Sequence, residues 1–306
     1  MQVSVVWTIN AKNLSMDSAI ANLTEIRDEG FSRVWTTQMP TEPDALTVIA
    51  VAGAAVPGIE FGTSVLPIQS QHPLKLAQQA MTVNQILGGR LNLGLGLSHK
   101  VVTEGMWGVP YARPVARTEQ YLDGLLPLLN GEKADSAGDL VTTRGVITLR
   151  DTPAPPVYFA ALGPKMLGLA GRRTAGTVTW MTGPKTLRDH IVPTLHQAAA
   201  DAGRPDGSVR TVAMLPVSVT DDADAARAEA GRQFAMYDGL PSYKAMLDRE
   251  GFTGPADAAI VGDEAAVADR IRELGSFGVD EYVGILFDPD PEVRARTRAL
   301  LRTLEK

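Results

Sequence analysis

Chemistry in this chain has to come from a short set of side chains. Cysteine is absent, which removes disulfides, thiolate nucleophiles, iron–sulfur ligation and cysteine-based zinc sites together. The four histidines, His72, His99, His190 and His196, show no HxxxH or HExxH spacing, so no metal site is read from them. No GxxxxGK[ST] phosphate loop is present. His99 stands out by its address, at the end of the run GLGLSH over 94–99. Glycines at alternate positions of a strand would let a large flat group approach the backbone, leaving Ser98 and His99 to project beyond it. An imidazole in that place can give or take a proton near neutrality.

Three further segments have the same character. FGTSVLP, 61–67, turns from strand to loop between Ser64 and Val65, with Pro67 fixing the exit. AALGPKM, 160–166, couples a strand to a helix through Ala161, Leu162, Gly163 and Pro164, whose exposed first-turn amides suit an anion, with Lys165 adding charge. WMTGP, 180–184, repeats that style, and Trp180 is wide enough to wall a ring. Arg113 and Arg117, near Glu119, read as a solvated, ion-paired helix face, and Asp221, Asp222 and Asp224 as an acidic helix start.

The elements that position these residues follow one repeated pattern: a β-branched run, a helix-period run, a glycine, another β-branched run. Val3, Val5, Trp7 and Ile9 alternate as a strand over 3–9. Ile20, Leu23 and Ile26 then recur at helical spacing, with Ser15 as N-cap and Gly30 as the left-handed stop. EIRDEG at 25–30 is echoed by RIRELG at 270–275, each leading into a strand. Strands are expected at 3–9, 33–37, 59–66, 91–97, 157–162, 176–181, 210–219 and 281–287. After the first helix, others are expected at 43–55, 73–87, 114–130, 164–173, 184–202, 222–238, 263–275 and 290–304.

Parallel strands need crossover helices, and eight such units predict a (β/α)8 TIM barrel with its site at the strands' C-terminal ends. A doubly wound sheet would want a GxGxxG turn after strand one, where WTINAKN stands instead. Two stretches exceed the unit: 131–156, read as a hairpin of DLVTT and GVITL before strand five, and 239–262, an excursion after strand seven. No linker interrupts 1–306, so one domain is expected.

With 306 residues, 44% of them hydrophobic, the chain is in the globular range. Lys+Arg 29 against Asp+Glu 35 leaves a formal charge of −6, which argues against nucleic acid or an anionic membrane as partner. Met1 leads straight into a strand without a secretory n-region, so a cytoplasmic location is expected.

Taken in order, GTSVLP, HPLKLAQQAMTVNQILGGRLNLGLGLSH, ARTEQYLDGLLPLL, FAALGPKMLGLAG and TVTWMTGP resemble the luciferase-like monooxygenase superfamily over nearly the whole chain. The resemblance is to the branch using coenzyme F420, the 8-hydroxy-5-deazaflavin. It implies a non-prolyl cis peptide between Ser64 and Val65 that supports the ring. It places Gly96, Leu97, Ser98 and His99 along another ring edge and the phosphate on Ala161, Leu162, Gly163 and Pro164. The implied reaction is hydride transfer between the deazaflavin and a small organic substrate, with His99 moving the proton and Trp7, Trp35, Gln38, Trp107 or Trp180 walling the pocket. Lys100, Lys165 and Arg172 are candidates for the anionic tail.

The family's sugar-phosphate dehydrogenase pairs a His after strand two with a Glu after strand four. Gln38 and His99 stand near those places, which speaks against glucose 6-phosphate oxidation. Ala175 stands where an acidic residue is common before the sixth-strand glycine. Two alternatives stay open: an FMN-dependent monooxygenase using molecular oxygen, and a catalytically silent carrier or structural dimer subunit. A homodimer is implied, with Leu74, Leu76 and Met81 as an interface face or as core.

Overall fold

The computed structural model describes residues 1–9, 14–149 and 152–305. Residues 10–13 of WTINAKN, 150 and 151 of the insertion before strand five, and 306 lie outside the described residues. Eight strands follow one another in chain order: Gln2–Val6, Arg33–Thr36, Glu60–Thr63, Leu91–Gly96, Val157–Phe159, Gly176–Trp180, Arg210–Val219 and Glu281–Leu286. The eighth pairs with the first, so the sheet closes into the expected (β/α)8 barrel. The registers are parallel: Val3 faces Tyr282, Met214 faces Val283, Thr177 faces Thr211 and Leu93 faces Val157.

Local chemistry punctuates the elements. The first helix, Met16–Asp28, is capped by Ser15, whose hydroxyl accepts from the Ser18 N–H at 3.3 Å, and Gly30 follows it at φ 101°. Asp44 caps Ala45–Ala55 by accepting from the Thr47 N–H at 2.8 Å. The echo near the C-terminus departs in one respect. Gly275 lies within the helix Glu264–Ser276, and Gly278, at φ 90°, makes the left-handed turn. Among the described residues no helix is long and apolar enough to cross a membrane.

Three predicted stretches are remodelled. The third strand is interrupted: Glu60–Thr63 and Leu66–Pro67 both pair with Leu91–Gly96, Phe61 facing Leu91 and Leu66 facing Leu95. The hairpin pairs Ala134–Ala137 with Thr142–Gly145, not DLVTT with GVITL. Its turn falls at 138–141 because Gln120 Oε1 accepts from the Leu140 and Val141 N–H groups at 2.8 and 3.0 Å while Asp139 is held by Arg113 and Gln120. The excursion after strand seven is structured, with a helix Pro241–Glu250 and a strand Ile260–Gly262 added beside Arg210–Val219.

The chain divides into two compact units, the first of Met1–Val6, Asp28–Val34 and Ala161–Lys306, the second of Trp7–Arg27 and Trp35–Ala160. The first buries Leu167, Leu215, Tyr282, Ile271 and Leu301. It also buries a carboxylate, Glu281, which accepts from Arg33 Nη1 at 2.5 Å and from Ser4 Oγ at 2.6 Å. A charge so far from water persists only when paired and hydrogen-bonded like this. The second unit packs Trp7, Phe61, Leu76, Met81, Leu122 and Leu125, so Leu76 and Met81 are core and present no free face.

Candidate functional site

In the second unit the Ser64–Val65 peptide is cis, at the expected position. The Ser64 N–H donates to the Thr36 carbonyl at 2.8 Å. Behind it Thr63 clamps the fourth strand: its hydroxyl donates to the Gly94 carbonyl at 2.8 Å and accepts from the Gly94 N–H at 2.9 Å. The glycines of GLGLSH have a different purpose from the one expected. A Cβ on Gly94 would stand 1.7 Å from the Thr63 carbonyl oxygen, and one on Gly96 would stand 2.5 Å from Val65 Cγ2 and 3.2 Å from Ala160 Cβ. On the side a Cβ would occupy, the space is filled by the chain itself. What stays half-buried is the row Ser64, Val65, Leu97, Ser98 and His99, at the ends of neighbouring strands.

His99 heads a short helix the sequence did not disclose, Lys100–Gly105, and its carbonyl accepts from the Val102 and Thr103 N–H groups at 2.9 Å each. Partial burial holds its imidazole below the ordinary histidine value, so the ring is neutral near pH 7. Just before it, the Ser98 N–H donates to Gln69 Oε1 at 3.2 Å. The other candidates of this unit lie elsewhere. Trp7 is fully buried, edge-on to Phe61 at 6.2 Å, and Trp35 is buried edge-on to Tyr158 at 5.7 Å; both are core. Gln38 uses its whole amide locally, Oε1 accepting from the Ala45 N–H at 2.7 Å and Nε2 donating to the Met39 carbonyl at 3.1 Å. Trp107 is half-buried beyond the short helix. Arg113 pairs with Asp139, not with Glu119, and Arg117 is half-buried with no partner for its Nε among the described residues.

In the first unit the loop Ala161–Pro164 leads into the helix Pro164–Arg173. The Ala161 N–H is already taken, donating to Thr177 Oγ1 at 3.2 Å. The Leu162 carbonyl accepts from His190 Nε2 at 2.8 Å, and because a carbonyl only accepts, that nitrogen carries the proton. Gly163, Pro164 and Lys165 are exposed, and a Cβ on Gly163 would meet open space. This helix start fits an anion: open amides and no obstructing side chain. The matching Gly183-Pro184-Lys185 is different. There Glu250 accepts from the Lys185 N–H at 3.3 Å and from the Thr186 N–H, so that helix start is filled from within.

Trp180 is half-buried and meets Phe234 at 5.5 Å and Tyr237 at 5.7 Å; Tyr237 meets Tyr243 at 5.0 Å and Phe234 meets Phe287 at 5.8 Å. Burial raises both tyrosine pKa values, so the phenols stay protonated. Met181, next to Trp180, is buried at φ 53°, a left-handed conformation unusual for its type. Sequence reading found Trp180 but missed its partner Tyr237, in the turn Ala235–Gly239, and Tyr243 behind it, in the excursion after strand seven. It also missed Gln69, Thr177 and His190, whose signal was only a polar residue close to a strand end or a helix start. Among the described residues no cluster of His, Asp and Glu could hold a metal ion.

The barrel thus carries a half-buried imidazole at the end of one strand in the second unit and an open helix start in the first. The chain belongs to the luciferase-like monooxygenase family, whose model matches residues 8–281, and is an enzyme of the oxidoreductase class. It is 29% identical over 279 residues to the 5,10-methylenetetrahydromethanopterin reductase of Methanolobus tindarius, covering 89% of this chain and 83% of that protein. The structure of the coenzyme F420 dependent tetrahydromethanopterin reductase of Methanopyrus kandleri aligns with a TM-score of 0.82 at 22% identity, covering 99% of this chain and 98% of that one. The oxygenating constituent of 3,6-diketocamphane monooxygenase from Pseudomonas putida, in complex with FMN, aligns at 0.77 with 19% identity over 100% and 98%. At these identities the two structures establish the fold.

Proposed function

We propose that the protein is an F420-dependent oxidoreductase that passes hydride between the deazaflavin and a small organic substrate. The carrying observation is the half-buried row Ser64, Val65, Leu97, Ser98 and His99, a continuous edge on adjoining strand ends with one neutral imidazole at its limit. The relative of Methanolobus tindarius, matched over most of its length, supports a reductase.

The deazaflavin supplies the hydride chemistry when bound. The chain supplies position. Val65, seated on Gly96, and the Leu97–His99 exit offer two edges against a planar ring, and Ser64 and Ser98 offer hydroxyls to its polar rim. His99, neutral near pH 7, accepts a proton at a ring nitrogen when a substrate is oxidised, and after protonation returns one when a substrate is reduced. The helix start at Gly163 is the group in the first unit suited to a phosphate.

Fluorescence titration and equilibrium dialysis with F420 and with FMN test the assignment. Binding of F420 at least tenfold tighter than FMN is expected. The reverse preference, with oxygen-dependent turnover, would establish the flavin monooxygenase, and tight F420 binding with no reduction of dyes, nitro compounds or enones would establish the carrier.

A further inference from the structure

We infer that Gln69 is the positioning residue for His99, holding the exit of the fourth strand through a side-chain hydrogen bond. The inference rests on the assignment of His99 as the proton-transfer group.

The fourth strand loses its backbone partners where His99 needs to be fixed. On one side its register with the third-strand extension ends at the pair Pro67 and Gly96. On the other, the Ala160 N–H donates to the Leu95 carbonyl at 2.8 Å, and the fifth strand's register ends with Leu95 and Phe159. Among the described residues the ladder ends there, before Leu97 and Ser98. The next firm anchor is the carbonyl of His99 itself, which starts the short helix. The pair Leu97 and Ser98 between these anchors keeps freedom about several backbone angles unless something holds it.

Gln69 holds it. Oε1 accepts from the Ser98 N–H at 3.2 Å, replacing the ladder bond a neighbouring strand would have supplied. The platform for this side chain is rigid. Gln69 sits at the centre of the 3-10 turn Ile68–Ser70, with Ile68 buried beneath it and Ser70 Oγ closing the turn onto the Pro67 carbonyl at 3.2 Å. Pro67 fixes the turn's entrance. The same short arm that carries Ser64 and Val65 therefore also sets the direction in which His99 leaves the strand.

The amide is oriented by chemistry. The Ser98 N–H only donates, so the oxygen must face it, and the Nε2 end points elsewhere with no acceptor among the described residues. This separates two roles for Gln69. Gln69→Glu keeps an acceptor for Ser98 and removes the two donor hydrogens; Gln69→Leu removes both.

The test uses the full chain. Hydrogen exchange across 97–103 is followed with the imidazole Cε1–H resonance of His99, assigned through His99→Asn. In Gln69→Leu we expect exchange at Ser98 at least tenfold faster and a broadened or doubled His99 signal, with the global unfolding midpoint little changed. Gln69→Glu should restore slow exchange and a single His99 line. Unchanged exchange and an unchanged line in Gln69→Leu would overturn the inference. So would restored order in Gln69→Glu with proton transfer still lost, because Gln69 would then act on ligand directly. His99→Asn keeps the two claims apart. If it leaves turnover of reduced F420 with menadione and its pH profile untouched, the role of His99 fails, while the exchange data still report whether Gln69 holds the strand exit.

Discussion

Gly96→Ala is the sharpest probe of how the third and fourth strands fit together. The added methyl would stand 2.5 Å from Val65 Cγ2 and 3.2 Å from Ala160 Cβ. Ordinary carbon contacts begin near 3.5 Å, so Val65 must retreat by about 1 Å or the strands must part. Overpacking of this kind costs about 1–3 kcal/mol, roughly a 5- to 150-fold change in the unfolding equilibrium. Because the obstruction is a side-chain methyl, Val65→Ala should relieve it. A double-mutant cycle by urea denaturation should therefore show the pair to be less destabilised than the sum of the singles by about 1 kcal/mol or more. Gly94→Ala is the control. Its methyl would stand 1.7 Å from the Thr63 carbonyl oxygen, a backbone atom that Val65→Ala cannot move, so its loss should be larger and not rescued. F420 titration of the same variants reads the functional side: Gly96→Ala should weaken binding through the displaced Val65 even though residue 96 itself is buried. A Gly96→Ala cost below about 0.5 kcal/mol, or strict additivity with Val65→Ala, would refute the interlock.

Three other outcomes are expected. His99 is held below its ordinary pKa of about 6.5, so as pH falls through that value the unfolded chain takes up the proton first and the fold weakens; His99→Asn should remove this acid-side loss and the matching acid limb of the pH–rate profile, and an unaltered profile would refute the burial argument. Removing Glu281 takes the buried carboxylate from the Arg33 guanidinium, so Glu281→Leu should lose about 3–5 kcal/mol in urea unfolding while Arg33→Met with Glu281→Leu recovers most of it; equal losses would show that the pair is not what holds that site. His190→Phe releases the Leu162 carbonyl and should lower the affinity of F420 by roughly 5- to 30-fold, about 1–2 kcal/mol, while the riboside lacking the phosphate is unaffected; an equal loss for both would refute the anion role of that loop.

The barrel was legible because its signals are local. Alternation such as Val3, Val5 and Trp7, a cap such as Ser15, and the left-handed Gly30 all act within a few residues, so one sequence carries them. Failures began where a local rule had two adjacent solutions. Gly275 and Gly278 both suit a helix end, and Leu274 decides it: its carbonyl accepts from Phe277 and Val279, carrying the turn to Gly278. The hairpin shifted because Gln120 captures two amides of the turn, a tie between segments that no β-propensity registers. Trp7 and Gln38 were placed at the pocket by type and address. The first is enclosed against Phe61 and the second is consumed at a helix start, outcomes set by packing partners that do not adjoin them in the chain.

The site was half legible for a related reason. GTSVLP and GLGLSH do meet in the structure, at the cis peptide and the half-buried row, but the space beside the glycines is taken by the chain itself. A glycine announces that something large comes close; it does not say whether that is a ligand or the protein. Here it is the protein, since Thr63 and Val65 fill what Gly94 and Gly96 leave open. The two motifs therefore form one interlock of fixed sizes. Enlarging a glycine on the fourth strand moves the third, and the exit of that strand is held in turn where the Gln69 amide meets the Ser98 N–H. The geometry of the half-buried row is thus set by contacts made across the chain, and substitution at the buried partners Thr63, Gly94 and Gly96 should alter ligand binding as surely as substitution within the row itself.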